Sequence, residues 1–110
     1  MPAPDIFVQV TATLMDSNSG QLMANPKTVM VEVPGPGIDM RQERHREQAA
    51  DASGGQLAEY LATDAALQLL AKLGYPGIGR IDTIALPQRP AWTAARSPDF
   101  TYGGMNVWLA

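Results

Sequence analysis

Apolar and polar residues alternate along the first patterned stretch of the chain. Because successive side chains of a strand point to opposite faces, this alternation predicts a β-strand over 6–14 with one face in the core. The apolar positions are Ile6, Val8, Val10, Ala12 and Leu14, and the positions between them hold Phe7, Gln9, Thr11 and Thr13.

A second strand is predicted from Thr28 to Val33, where β-branched residues recur after the turn-forming stretch 16–20. The two runs predict a hairpin. Asn25-Pro26 precedes the returning strand, and we expect an interruption or bulge there at a sheet edge, since proline cannot donate to the ladder.

Two helices are predicted in the middle of the chain. The stretch 39–52 consists of good helix formers but has Met40 as its only larger apolar side chain, so little packing holds it. We expect it either to move or to be covered by something outside the core. The stronger helix runs from Gln56 to Leu73, with Gly74 as its left-handed stop and Pro76 beyond.

The stronger helix has apolar residues on two sides. Tyr60 and Leu67 project away from the main stripe. A single sheet covers only one flank, so these two side chains require the C-terminal segment or a second subunit. The main stripe comprises Leu57, Leu61, Ala65, Leu69 and Leu73, widened by Ala62, Ala66 and Leu70.

Two further strands, 78–86 and 105–109, complete a β-β-α-α-β-β order. Between them, 87–99 contains three prolines around Trp92 and is predicted to be a long irregular arm. The prediction is therefore an α+β fold in which a small, mostly antiparallel sheet packs against one main helix. We expect one domain over 1–110, with a polar helical insertion at 38–53 and a Pro-rich arm at 87–99.

The composition of the chain argues against several classes of function. The 110 residues carry a net charge of −3, which disfavours nucleic-acid binding because that depends on clustered cations. No apolar run reaches the roughly 20 residues that cross a bilayer, so we expect a soluble, cytoplasmic protein with no membrane partner. The sequence has no cysteine, which excludes disulfides and thiolate chemistry.

Catalytic and metal-binding patterns are weak. The single histidine, His45, lies between Arg44 and Arg46, so an enzyme built on it and a nearby carboxylate is the least favoured of three hypotheses. Acidic residues recur every four positions from 39 to 51, but a straight row along one helix does not converge on a cation. We therefore predict no catalytic residue, no metal site and no cofactor.

The favoured hypothesis is a small non-enzymatic module that binds a protein partner or assembles with copies of itself as a homo-oligomer. The arm, the helix 41–47 and one edge of the sheet would form its surfaces, since arginine and aromatic residues often anchor interfaces. Its size and acidity would suit a viral accessory, structural or inhibitor protein. The predicted partner-binding residues are Arg41, Arg44, Arg46, Tyr60, Leu67, Arg89, Trp92 and Arg96.

The alternative is a protein that binds a small anionic ligand, such as a phosphate or nucleotide. Its pocket would lie between the stronger helix and the C-terminal aromatic residues. Arg44 or Arg80 would hold the anionic group.

Overall fold

The computed structural model describes residues 5–35, 55–75 and 77–110. Within these ranges the chain forms one antiparallel sheet with strand order β3-β1-β2-β5-β4, and one long helix packs on it. The predicted α+β fold is confirmed, whereas the predicted helix at 39–52 lies outside the described residues. The elements are β1 (Ile6–Leu14), β2 (Lys27–Val33), α1 (Gly55–Lys72), β3 (Ile78–Leu86), α2 (Ala91–Ala94), β4 (Phe100–Tyr102) and β5 (Met105–Leu109).

The main core lies between α1 and one face of the sheet. The alternation in β1 places Val8, Val10 and Ala12 on this face, and all three are fully buried. Burying a valine or leucine side chain stabilises a fold by about 1.5–3 kcal/mol, so this layer is the main source of stability. The other buried members are Val29, Val31, Val33, Ala58, Leu61, Ala62, Ala65, Ala66, Leu69, Leu70, Met105 and Val107.

A second, smaller core lies on the opposite face of the sheet. Phe7, Met30 and Trp108 are buried there, and Leu86 and Trp92 pack around them. The alternation in β1 predicted a core on one face only. Phe7 is buried because the segment that follows β3 folds back over this side of the sheet.

The turn between β1 and β2 follows the predicted chemistry. The Asp16 carboxylate accepts a hydrogen bond from the Asn18 backbone N–H at 2.8 Å, and Gly20 has a φ of 71°. Asn25, with a φ of 64°, and Pro26 precede the first residue of β2. The expectation of a sheet edge here is wrong, because β2 pairs with β1 and β5; the proline lies outside the strand and interrupts no ladder.

The C-terminal end of α1 is also as predicted. Gly74 adopts a φ of 93°, and the Tyr75 N–H donates to the Leu70 carbonyl at 2.8 Å. Leu73, predicted in the buried stripe, is instead 48% exposed because it lies just beyond the last residue of the helix.

Candidate functional site

The arm, residues 87–99, is docked on the sheet face that lies away from α1. It contains the one-turn helix α2, so it is less irregular than predicted. The Arg89 guanidinium carbon lies 5.3 Å from the Phe7 ring centroid and 5.7 Å from that of Trp108. Thr93 is fully buried. Its hydroxyl accepts a hydrogen bond from Arg89 Nε at 3.2 Å and donates one to the Pro90 carbonyl at 2.7 Å.

The far end of the arm is tied to β5. The Arg96 guanidinium carbon lies 5.0 Å from the Trp92 ring centroid, and its Nη2 donates to Asp99 Oδ2 at 3.2 Å and to the Leu109 carbonyl. Asp99 Oδ2 also accepts from the Leu109 N–H at 2.8 Å. These contacts fasten the arm at both ends.

Three predicted partner-binding residues therefore make contacts within their own chain. Arg89, Trp92 and Arg96 hold the arm in place, and their part in binding a partner stays a prediction. The structure does not bring them together with Tyr60, which is 47% exposed on α1, or with the half-buried Leu67. The remaining predicted residues, Arg41, Arg44 and Arg46, lie outside the described ranges, as does His45.

Two carboxyl groups meet beside the arm. Asp5 and Glu32 share a hydrogen bond, and Asn106 Nδ2 donates to Glu32 Oε1 at 3.1 Å. Partial burial, followed by the nearby Asp5, raises the pKa of Glu32. The Gly35 N–H and the Glu32 hydrogen bond lower the pKa of Asp5. The contact thus shifts the pKa values of the two carboxyl groups in opposite directions, that of Glu32 upward and that of Asp5 downward.

An open pocket of about 460 Å³ lies where α1 ends. Lys72, which lines this pocket, has its Nζ 5.2 Å from the centroid of the Phe100 ring. The ligand pocket was predicted between the stronger helix and the C-terminal aromatic residues, but no aromatic residue among those described lines this pocket, and Arg80 lies on β3 and does not line it either. The lining residues are Leu69, Lys72, Leu73, Arg96, Asp99 and Leu109.

The free edge of β3 is the longer of the two sheet edges in the described part of the chain. β3 spans nine residues, and among those described no strand pairs with it on the side away from β1. Arg80, Asp82 and Ile84 alternate on the face away from α1, and Ile84 is 55% exposed. Arg80 Nε lies 3.0 Å from Asp82 Oδ2, and both side chains are exposed.

Apolar side chains are also exposed at one end of this edge. Met15 and Leu22 form an isolated bridge next to β3 and are 42% and 49% exposed. They lie over Gly79, where a Cβ would come within 2.8 Å of Met15 Cβ and Leu22 Cδ2. β3 has an extra residue at this point, because Thr13 pairs with Arg80 whereas Leu14 pairs with Ile78.

The spacing of two isoleucines in the sequence indicates that Ile84 faces away from the main core. Ile81 and Ile84 are three positions apart, so in one regular strand they must lie on opposite faces. Ile81 packs against the main core, and Ile84 is consequently turned outward.

Comparison of the chain with family models, curated proteins and solved structures gives no match. Among the described residues, no helix combines the length and apolar character needed to span a bilayer. The same residues contain no group of three or more histidine or acidic side chains arranged to hold a metal ion.

Proposed function

We propose that this chain is a non-enzymatic protein-binding module that accepts a strand from another polypeptide along the free edge of β3. The observation that carries the proposal is the nine-residue length of this open edge together with the exposure of Ile84. The opposite edge strand, β4, has only three residues and offers far less backbone.

Backbone chemistry supplies the affinity in this kind of recognition. In an antiparallel ladder, hydrogen-bonding groups point alternately to either side, so about half of those in an edge strand are free. Proteins usually blunt such an edge with charged side chains, proline, a bulge or a covering segment. The β3 sequence, IGRIDTIAL, contains neither lysine nor proline, its extra residue lies near its start, and its two charges have opposite signs and pair with each other. The stretch from Arg80 to Leu86 is therefore suited to strand addition.

Side chains would supply the selectivity. Arg80, Asp82 and Ile84 present a cation, an anion and an apolar group in succession along one face. An added strand lies about 5 Å away, where its side chains meet these three directly. A partner strand with complementary charges and an apolar residue at matching spacing fits this face.

Site-specific photo-crosslinking tests the proposal. A benzophenone amino acid at position 84 should give a protein adduct in cells of the native host, and the same group at Thr101, exposed on β4, should not. The adduct at position 84 should disappear when Asp82 is replaced by lysine, which alters the proposed strand-binding face. Absence of an adduct at 84, or equal labelling at 84 and 101, would refute the proposal.

The pocket at the end of α1 favours a second candidate function, binding of a small anionic molecule with an apolar portion. Lys72 supplies a cation and Leu73 an exposed apolar wall. Melting temperature measured with inorganic phosphate, nucleotides and short alkyl carboxylates tests this candidate. A rise that is lost in Lys72→Ala but retained in Arg80→Ala supports it, and no rise with any of these probes excludes it.

A further inference from the structure

We infer that the strand accepted by β3 is the β3 strand of a second copy of this chain, paired antiparallel about Ile81. The inference rests on the proposed function, because it names the partner for the same edge. A two-fold axis through this point would join two five-stranded sheets into one continuous sheet.

The charge pattern of β3 is self-complementary in this register. When Ile81 faces Ile81 of the other copy, Arg80 faces Asp82 and Asp82 faces Arg80. Residues directly opposite each other on one face have Cβ atoms about 5 Å apart, within reach of an ion pair. The one ion pair within each strand, with Arg80 Nε to Asp82 Oδ2 at 3.0 Å, would join its counterpart in the other copy to form a network of four side chains.

Neighbouring registers lack this complementarity. A two-fold pairing must shift by two residues at a time, since an odd shift would place paired side chains on opposite faces. Moving the axis to residue 82 puts Asp82 opposite Asp82, and moving it to residue 80 puts Arg80 opposite Arg80. Like charges directly opposite each other are destabilising, so the charges select the register centred on Ile81.

The same register brings together three exposed apolar side chains. It sets Ile84 of each copy toward the start of β3 in the other, where Ile78 packs against the main core and Gly79 lies at the extra residue. Met15 and Leu22 lie over Gly79 and are 42% and 49% exposed. The 55% exposed Ile84 of each copy would therefore reach the apolar end of its neighbour, and this happens at both ends of the paired strands.

Charge reversal in the full chain tests the inference, with mass measured by light scattering and native mass spectrometry. The unaltered protein should have the mass of two chains. Arg80→Asp and Asp82→Arg, each alone, should weaken association at least about tenfold because like charges then face each other. An equimolar mixture of these two variants should form a species that contains one chain of each, and the double variant R80D/D82R should regain the two-chain mass.

Cross-linking fixes the register independently. The sequence has no cysteine, so Arg80→Cys mixed with Asp82→Cys should give a disulfide between the two chains. A single-chain mass for the unaltered protein at every concentration would overturn the inference, as would a two-chain mass that neither charge reversal changes. Crosslinking from position 84 to a different protein would then still support the proposed function, whereas no crosslink at 84 would refute both.

Discussion

The indole N–H of Trp108 donates a hydrogen bond to the main-chain carbonyl of Arg96 at 3.1 Å, and this contact joins the end of the arm to β5. Trp108 is 1% exposed, so the bond lies in the smaller core. The arm is thus part of the folded structure and not an appendage.

Replacing Trp108 with phenylalanine should lower the free energy of unfolding by about 2 kcal/mol, because it removes a buried donor and leaves a void. Urea denaturation measures the change. The matched control is Trp92→Phe, which keeps an aromatic ring under Arg96 at a half-buried position and should be the milder of the two. If the two variants lost the same free energy of unfolding, the expected contribution of the Trp108 hydrogen bond would be contradicted.

Thr93→Val should destabilise the protein by about 1–2 kcal/mol, because the valine has the same shape but cannot bond to Arg89 or the Pro90 carbonyl. Thermal unfolding of this variant is compared with that of Thr101→Val, an exposed change expected to stay within about 0.5 kcal/mol. A neutral Thr93→Val would show that the arm does not depend on this buried hydroxyl.

The carboxyl pair predicts a pH dependence. Folding raises the pKa of Glu32, so the protonated form of this side chain stabilises the fold. This stabilisation is complete below the ordinary pKa of 4.5 and is lost as the pH rises through the raised pKa. Folding lowers the pKa of Asp5, so its ionised carboxylate stabilises the fold. This stabilisation is complete above the ordinary pKa of 3.8 and is lost as the pH falls through the lowered pKa.

Glu32→Gln should therefore stabilise the protein near neutral pH by roughly 0.5 kcal/mol, the scale of a partly exposed charge pair. The amide keeps an acceptor for Asn106 and a donor for Asp5. Melting temperatures of the two proteins, measured from pH 7 downward, should converge below pH 4.5. A stabilisation that is independent of pH would contradict this account.

Gly79→Ala should lower the free energy of unfolding by about 1–3 kcal/mol, because the added methyl would lie 2.8 Å from Met15 Cβ and Leu22 Cδ2. At Gly77 a Cβ meets only the Met15 carbonyl oxygen at 3.5 Å, so Gly77→Ala should be tolerated within about 0.5 kcal/mol. Chemical denaturation distinguishes the two, and equal costs would disprove the close approach at the bulge.

Ile84→Lys should leave the fold intact, since the side chain is 55% exposed, yet should disrupt the proposed pairing of two chains. Lysine on an edge strand opposes strand addition, which is how many natural sheets protect such edges. Circular dichroism reports the fold and sedimentation velocity reports the mass. Thr101→Lys on β4 is the control and should not alter the mass. An Ile84→Lys variant that still has the mass of two chains would count against the proposed contact of Ile84 with the other copy.

Local patterns predicted most of the elements but not their arrangement. Strands β1, β2, β3 and β5 and the helix α1 were all anticipated within a residue or so of their bounds. β4 was missed because three residues carry little periodicity, although Gly103 and Gly104, with φ of 58° and 84°, form a hairpin turn that the Gly-Gly pair could have indicated.

The strand order and the docking of the arm could not be read from the sequence. The pairing of Phe7 with Leu86 joins positions far apart in the chain, and no local pattern encodes it. The burial of Phe7 likewise depends on the position of Trp92 after folding. The free edge of β3 follows from that strand order, so only a generic sheet edge was predicted.

The position of β1 between β2 and β3 has a consequence for biosynthesis. Its partner on one side, β2, begins at Lys27, whereas its partner on the other, β3, ends at Leu86. A growing polypeptide on the ribosome therefore carries a half-paired first strand until β3 has emerged from the exit tunnel. Such long-range pairing slows folding, so this sheet cannot be completed before Leu86 has been synthesised.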